Sequence, residues 1–130
     1  MGYHPVNLAF RFLLEIATLA AMFYWGWSQH DGLLRIILAV SLPIVAAVIW
    51  GTFAVPDDPS RSGKAPVPVP GAVRLLLELF FFGIGAGLLI VSGRVGLAIG
   101  LSVSVLIHYA VSYDRVRWLL SEKPSGNSGN

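Results

Sequence analysis

The chain has 130 residues, 55% hydrophobic and only 12% charged, about half the charged share of an ordinary soluble domain. With a mean hydropathy of +0.72 it lacks the polar surface a soluble domain of this size needs, so composition predicts an integral membrane protein. The absence of cysteine excludes disulfides, thiolate metal sites and cysteine nucleophiles. The net charge of +2 reports membrane orientation in such a chain, and no basic patch addresses nucleic acid.

A hydrocarbon core of about 30 Å takes roughly 20 apolar helical residues, and four segments qualify. The first runs from about Val6 to Trp27; it carries Arg11 and Glu15 and is long enough to span, which argues against a cleavable leader. A tight polar turn, SQHDG (28–32), leads into the second, from about Leu33 to Val55, where Pro43 is expected to introduce a kink. Between the hairpins lies PDDPSRSGKAPVPVPG (56–71), whose PVPVP predicts a semi-rigid, polyproline-like spacer. The third span runs from about Ala72 to Val91, the turn SGR (92–94) follows, and the fourth runs from about Val95 to Leu120, its last turns leaving the membrane. KPSGNSGN at the end reads as a disordered tail over 123–130. The expected single membrane domain is hairpin 1 over about 6–55, the cytoplasmic linker 56–71, and hairpin 2 over about 72–120.

Orientation follows from lysine and arginine. Arg11, Arg61, Lys64, Arg74, Arg115, Arg117 and Lys123 fall at one side, and Arg35 and Arg94 at the turn side. The positive-inside rule then places both termini and the linker in the cytoplasm of a bacterial cytoplasmic (inner) membrane. Tyr24, Trp25 and Trp27 mark the outer aromatic belt, and Trp50, Tyr113 and Trp118 the inner one.

A shift of 63 residues superposes RFLLE (11–15) on RLLLE (74–78), with Leu34 on Leu97, Ile36 on Ile99, Ser41 on Ser104, Ile44 on Ile107 and Trp50 on Tyr113. Both copies start on the same side, so the repeat is parallel, with its axis along the membrane normal. The predicted fold is an all-α membrane bundle of four helices, two tandem hairpins related by a pseudo-two-fold repeat.

A charge at the centre of a spanning helix costs about 2.5–3.5 kcal/mol on insertion scales. Arg and Glu four apart share a helical face, so each pair shields itself, or Arg11 pairs with Glu78 and Arg74 with Glu15 across the repeat. His108 lies within a span at a comparable depth, where a histidine facing two carboxylates could relay a proton. The candidate cluster, structural or ion-binding, is therefore Arg11, Glu15, Arg74, Glu78 and His108. Gly96, Gly100, Ser104, His108 and Ser112 recur every fourth residue, and Gly83 and Gly87 form a GxxxG pattern; both are expected helix-packing faces, within the bundle or towards a partner subunit.

NLAFRFLLE (7–15), YWGW (24–27), WGTFAVPDDP (50–59) and RLLLEL (74–79) resemble the YrdB-like family of small bacterial four-span membrane proteins, a domain of unknown function, over roughly residues 6–115. The resemblance implies the same architecture and no mechanism.

Two functional readings remain. One is a small transporter or channel-like oligomer, in which Glu15 and Glu78 bind a cation or proton, the arginines poise them and His108 relays. The other is an accessory or assembly subunit of a larger membrane complex, with the charged pairs purely structural. No metal-ligand cluster, nucleophile–base pair or phosphate-binding loop supports an enzyme or a cofactor. Asp57 and Asp58 read as a turn. The expected partners are the lipid bilayer and either a homo-oligomer or a larger membrane complex, and no nucleic acid.

Overall fold

The computed structural model describes residues 3–58 and 65–121. These form five helices: α1 (Pro5–Ser28), α2 (Gly32–Thr52), α3 (Gly71–Val91), α4 (Val95–Val111) and α5 (Tyr113–Ser121). Arg61, Lys64, Lys123 and the expected tail lie outside the described residues.

Local chemistry sets the helix ends. The His4 imidazole accepts the Val6 N–H and Pro5 opens α1, a position where a proline loses no helical hydrogen bond. α3 ends in a Schellman motif: Gly93 takes φ +79°, its N–H donates to the Ile90 carbonyl at 3.0 Å, and Arg94 N–H donates to Leu89 at 2.8 Å. That geometry makes SGR a reversal. Pro43 sits inside α2, which continues through it to Thr52.

Three helices, α1, α2 and α3, are long and apolar enough to cross a membrane; α4 and α5 together would be a fourth span, bent by 72°. The single helix expected over about 95–120 is thus two. Ser112 breaks it, and α5 folds back onto α3, drawn by the buried side chains of Arg115 and Leu119.

α1 and α3 form the middle of the bundle, with α4 against both and α2 against α1. The core is Leu14, Ala21 and Met22 from α1, Phe81, Phe82 and Leu89 from α3, and Ala98, Leu101 and Val105 from α4. The outward faces are equally apolar: Phe80, Leu33 and Leu106 are each at least 70% exposed. A chain that buries arginine and glutamate while exposing phenylalanine and leucine is built for a hydrocarbon surround.

Small residues govern the closest crossings, as in membrane bundles where packing drives association. Gly26 lies against the Ala39 backbone of α2, Gly85 against Thr18 of α1, and Gly71 against the Leu119 carbonyl of α5. The linker also departs from a plain spacer. Val67–Pro68 pairs in parallel with Phe53–Ala54, and Val69 N–H donates to the Ala54 carbonyl at 2.9 Å. The PVPVP segment is therefore strapped to the exit of α2.

A methyl group on Gly71 would collide with Leu119, whereas one on Gly83 would meet nothing within 4 Å. Gly71→Ala is expected to cost about 1–3 kcal/mol by overpacking and Gly83→Ala close to nothing. Thermal unfolding in detergent reads both, and equal Tm values would contradict this packing.

Candidate functional site

Polar side chains from five segments converge near one end of the bundle. α3 carries Arg74 and Glu78 one turn apart, on the face that buries both. α1 contributes Arg11, α4 Tyr109 and α5 Arg115. Asp58 arrives from the turn after α2, where Asp57 adopts φ +63°, a left-handed conformation aspartate tolerates, and swings the next residue inward.

Glu78 is the centre, with 0% exposure. Its Oε2 accepts from Arg11 Nη2 at 2.8 Å, Arg74 Nε at 2.8 Å and Arg115 Nη2 at 2.9 Å. Its Oε1 accepts from Arg115 Nη1 at 2.9 Å and the Tyr109 hydroxyl at 2.7 Å. Arg115 therefore grips the carboxylate with both Nη groups, the fork geometry that makes arginine the strong partner of a carboxylate. The same Nη2 donates to Asp58 Oδ2 at 2.7 Å.

Charge balance explains how this is tolerated. Three guanidiniums (Arg11, Arg74 and Arg115) meet three carboxylates (Glu78, Asp58 and Glu15). A lone buried ion is prohibitive, but a neutral group of ions around a carboxylate saturated with donors is sustainable.

Arg74 has a second task. Its Nη1 donates to the carbonyls of Trp50 and Phe53, both at 2.6 Å, at the end of α2. Those carbonyls lack helical partners, and a cation at a helix C-terminus complements its dipole. The Trp50 ring lies under two guanidiniums, 4.4 Å from that of Arg74 and 5.3 Å from that of Arg11. Near the same end is Tyr3, whose phenol pKa is raised above its ordinary value by burial and by the Asp58 charge, so it stays neutral.

The two repeated motifs end up in different roles. Arg11 reaches Glu78 across the helices, but among the described residues Arg74 forms no ion pair with Glu15, its Nε being turned to Glu78 and its Nη1 to Trp50 and Phe53. Glu15 remains at the rim, with 22% side-chain exposure, and its ion pair among the described residues is with Arg11 Nε at 3.6 Å.

His108 is buried (1% exposed) and, among the described residues, hydrogen-bonds no carboxylate. Its Nδ1 lies 3.2 Å from Asn7 Oδ1, while Asn7 Nδ2 donates to Ser112 Oγ at 2.6 Å. With the amide nitrogen committed to Ser112, the amide oxygen must accept, so the proton sits on Nδ1. In the neutral ring Nε2 then carries the lone pair, and it has no partner among the described residues.

The glycines named from sequence do not pack within the bundle. A Cβ at Gly83, Gly87, Gly96 or Gly100 would meet nothing within 4 Å, because these positions face outward, and Ser104 lines a groove beside Gly96 and Gly100. Sequence reasoning weighed Arg115 only as an orientation charge, Asp58 as a turn and Trp50 as a belt residue, and passed over Tyr109. The available signal was the amphipathic segment YDRVRWLLS, where Arg115 and Leu119, one turn apart, form a buried face.

A family model described as "Protein of unknown function (DUF2568)" matches residues 9–106. The chain is 37% identical over 119 residues to the uncharacterized protein YrdB of Bacillus subtilis (strain 168), covering 92% of this chain and 97% of that protein. No solved structure gives a significant match.

Glu78→Gln leaves three guanidiniums around a neutral amide and is expected to cost about 3–5 kcal/mol, the cost of breaking a buried pair. Glu15→Gln, at the rim, is expected to cost under about 1 kcal/mol. Thermal unfolding in detergent separates the two; similar losses would show that the glutamates share the load.

Proposed function

The chain belongs to the DUF2568 family of proteins of unknown function, and we propose that it is a non-catalytic accessory or assembly subunit of a larger membrane complex. The observation that carries this reading is the saturation of Glu78. A carboxylate with no exposure and five donors has no lone-pair direction left for a passing ion and no hydration to exchange. The grooves along α1–α4 and α2–α3 are lined by none of Glu15, Glu78 or His108. The charges are engaged in holding helices to one another.

The membrane arrangement belongs to the same proposal. α4 makes the fourth crossing of a bacterial cytoplasmic membrane as the second arm of a tandem hairpin, and α5 turns along the cytoplasmic face beside both termini. The positive-inside balance supports that orientation, and the parallel repeat supports the hairpin pairing. The open glycine face of α3, at Gly83 and Gly87, suits a neighbouring helix.

One observation favours transport instead: Nε2 of buried His108, which has no partner among the described residues, is a proton acceptor in waiting.

Native co-purification with mass spectrometry, paired with flux in liposomes, discriminates the readings. The accessory reading expects a defined membrane partner that is lost in the Gly83→Leu/Gly87→Leu variant, and no pH-dependent cation flux. A partner-free chain whose flux disappears in a folded Glu15→Gln or His108→Asn variant would overturn it.

A further inference from the structure

A groove of about 790 Å³ runs between α1 and α4, open along one side. Along α1 it extends from Tyr24 to Leu14, and along α4 from its N-terminal end at Arg94 to Ser104. Ten helical residues on each wall make it about 15 Å long, half the roughly 30 Å of a bilayer's hydrocarbon core. Its length is therefore that of one leaflet's hydrocarbon depth. Alanine and glycine at 17, 20, 96 and 100 keep it deep, and apart from Ser104 and the end residues its walls are apolar.

Its single charge stands at the turn end. Arg94 Nε donates to the Tyr24 hydroxyl at 3.0 Å, and the guanidinium lies 5.4 Å from that ring's centroid. These contacts hold the fork at the mouth of the groove. Arg94 is exposed and forms no ion pair among the described residues, so its two Nη groups remain for an anion outside the protein.

We propose that this groove holds the acyl tail of one anionic glycerophospholipid, with the lipid phosphate on Arg94. The match is of charge to charge and of groove length to leaflet depth. An extended hydrocarbon chain, with carbon–carbon contacts near 4 Å, fits an apolar groove of this length. The proposal rests on the chain being membrane-embedded, and not on its acting as an accessory subunit.

The test is native mass spectrometry of the full chain, delipidated in neutral detergent and titrated with phosphatidylglycerol. One retained lipid per chain is expected. Arg94→Gln should weaken retention about tenfold, the scale of one lost charge-assisted hydrogen bond. Gly100→Leu should abolish it with an unchanged Tm, since Gly100 lines the groove and a Cβ there meets no protein atom within 4 Å. Glycerol 3-phosphate, which has no tail, should not compete; competition would point to a free phosphate ester and overturn the lipid assignment. Retention unchanged in both variants would overturn it too, as would a dimer that forms without lipid and dissociates in Gly100→Leu.

Discussion

A carboxylate with no exposure inside a helix bundle needs a donor for every lone-pair direction, and Glu78 obtains them from its own helix and three others. Arg11 ties α1 to it, Tyr109 ties α4, and Arg115 ties α5. In lipid, apolar side chains gain little by leaving hydrocarbon for one another, so helix association depends on close packing and polar bonds. The Glu78 hub provides the polar bonds, and Gly26, Gly71 and Gly85 provide the close approaches. Much of the architecture at this end follows from that one carboxylate. α5 bends away from α4 because Arg115 is held at Glu78, and the turn after α2 folds inward because Asp58 meets the same guanidinium. Through Arg74, the hub also secures the end of α2 and the linker strand paired there.

One hub is a different solution from two equal pairs. Each of the two RxxxE motifs sets its arginine and glutamate one turn apart, yet one glutamate collects three arginines while the other, at the rim, has among the described residues a single distant ion-pair partner. The asymmetry arises from what surrounds the second motif. Asp58 and Arg115 add one charge of each sign beside Glu78, so the buried group stays neutral while its carboxylate gains a two-pronged partner. Beside it, Asn7, His108 and Ser112 form a neutral polar strip linking α1 to the end of α4. Two kinds of polar contact thus close this end, one ionic and one neutral, while the turn end carries the Arg94–Tyr24 contact and those of Arg35 with Trp27 and His30.

Hydropathy made the apolar helices legible from sequence, because runs of this length have little alternative to crossing a bilayer. Helical spacing made the Arg11–Glu78 and Arg74–Glu78 neighbourhood legible, because charges at that depth need partners. The break at Ser112 was not legible. α5 is too polar to extend a span and too short to announce itself, and its direction is set by tertiary bonds from Arg115. The role of Asp58 was hidden for a similar reason: PDD reads locally as a turn, and only the left-handed Asp57 sends its neighbour inward. For His108, spacing gave the depth but not the partner, which Asn7 supplies from the first turn of α1. The glycine ridges were visible as patterns, but a pattern of small residues does not say whether protein, lipid or a partner covers it.

The central claim, that Glu78 and its arginines act as one cooperative unit, is tested most directly by a double-mutant cycle between Glu78→Gln and Arg115→Gln, read by equilibrium unfolding. If the unit is real, each single change strands the partner's buried charge, and the double variant loses less than the sum of the two by several kcal/mol, on the order of 3. Losses that add to within about 0.5 kcal/mol would mean that the two residues act independently and that the bundle does not depend on this carboxylate.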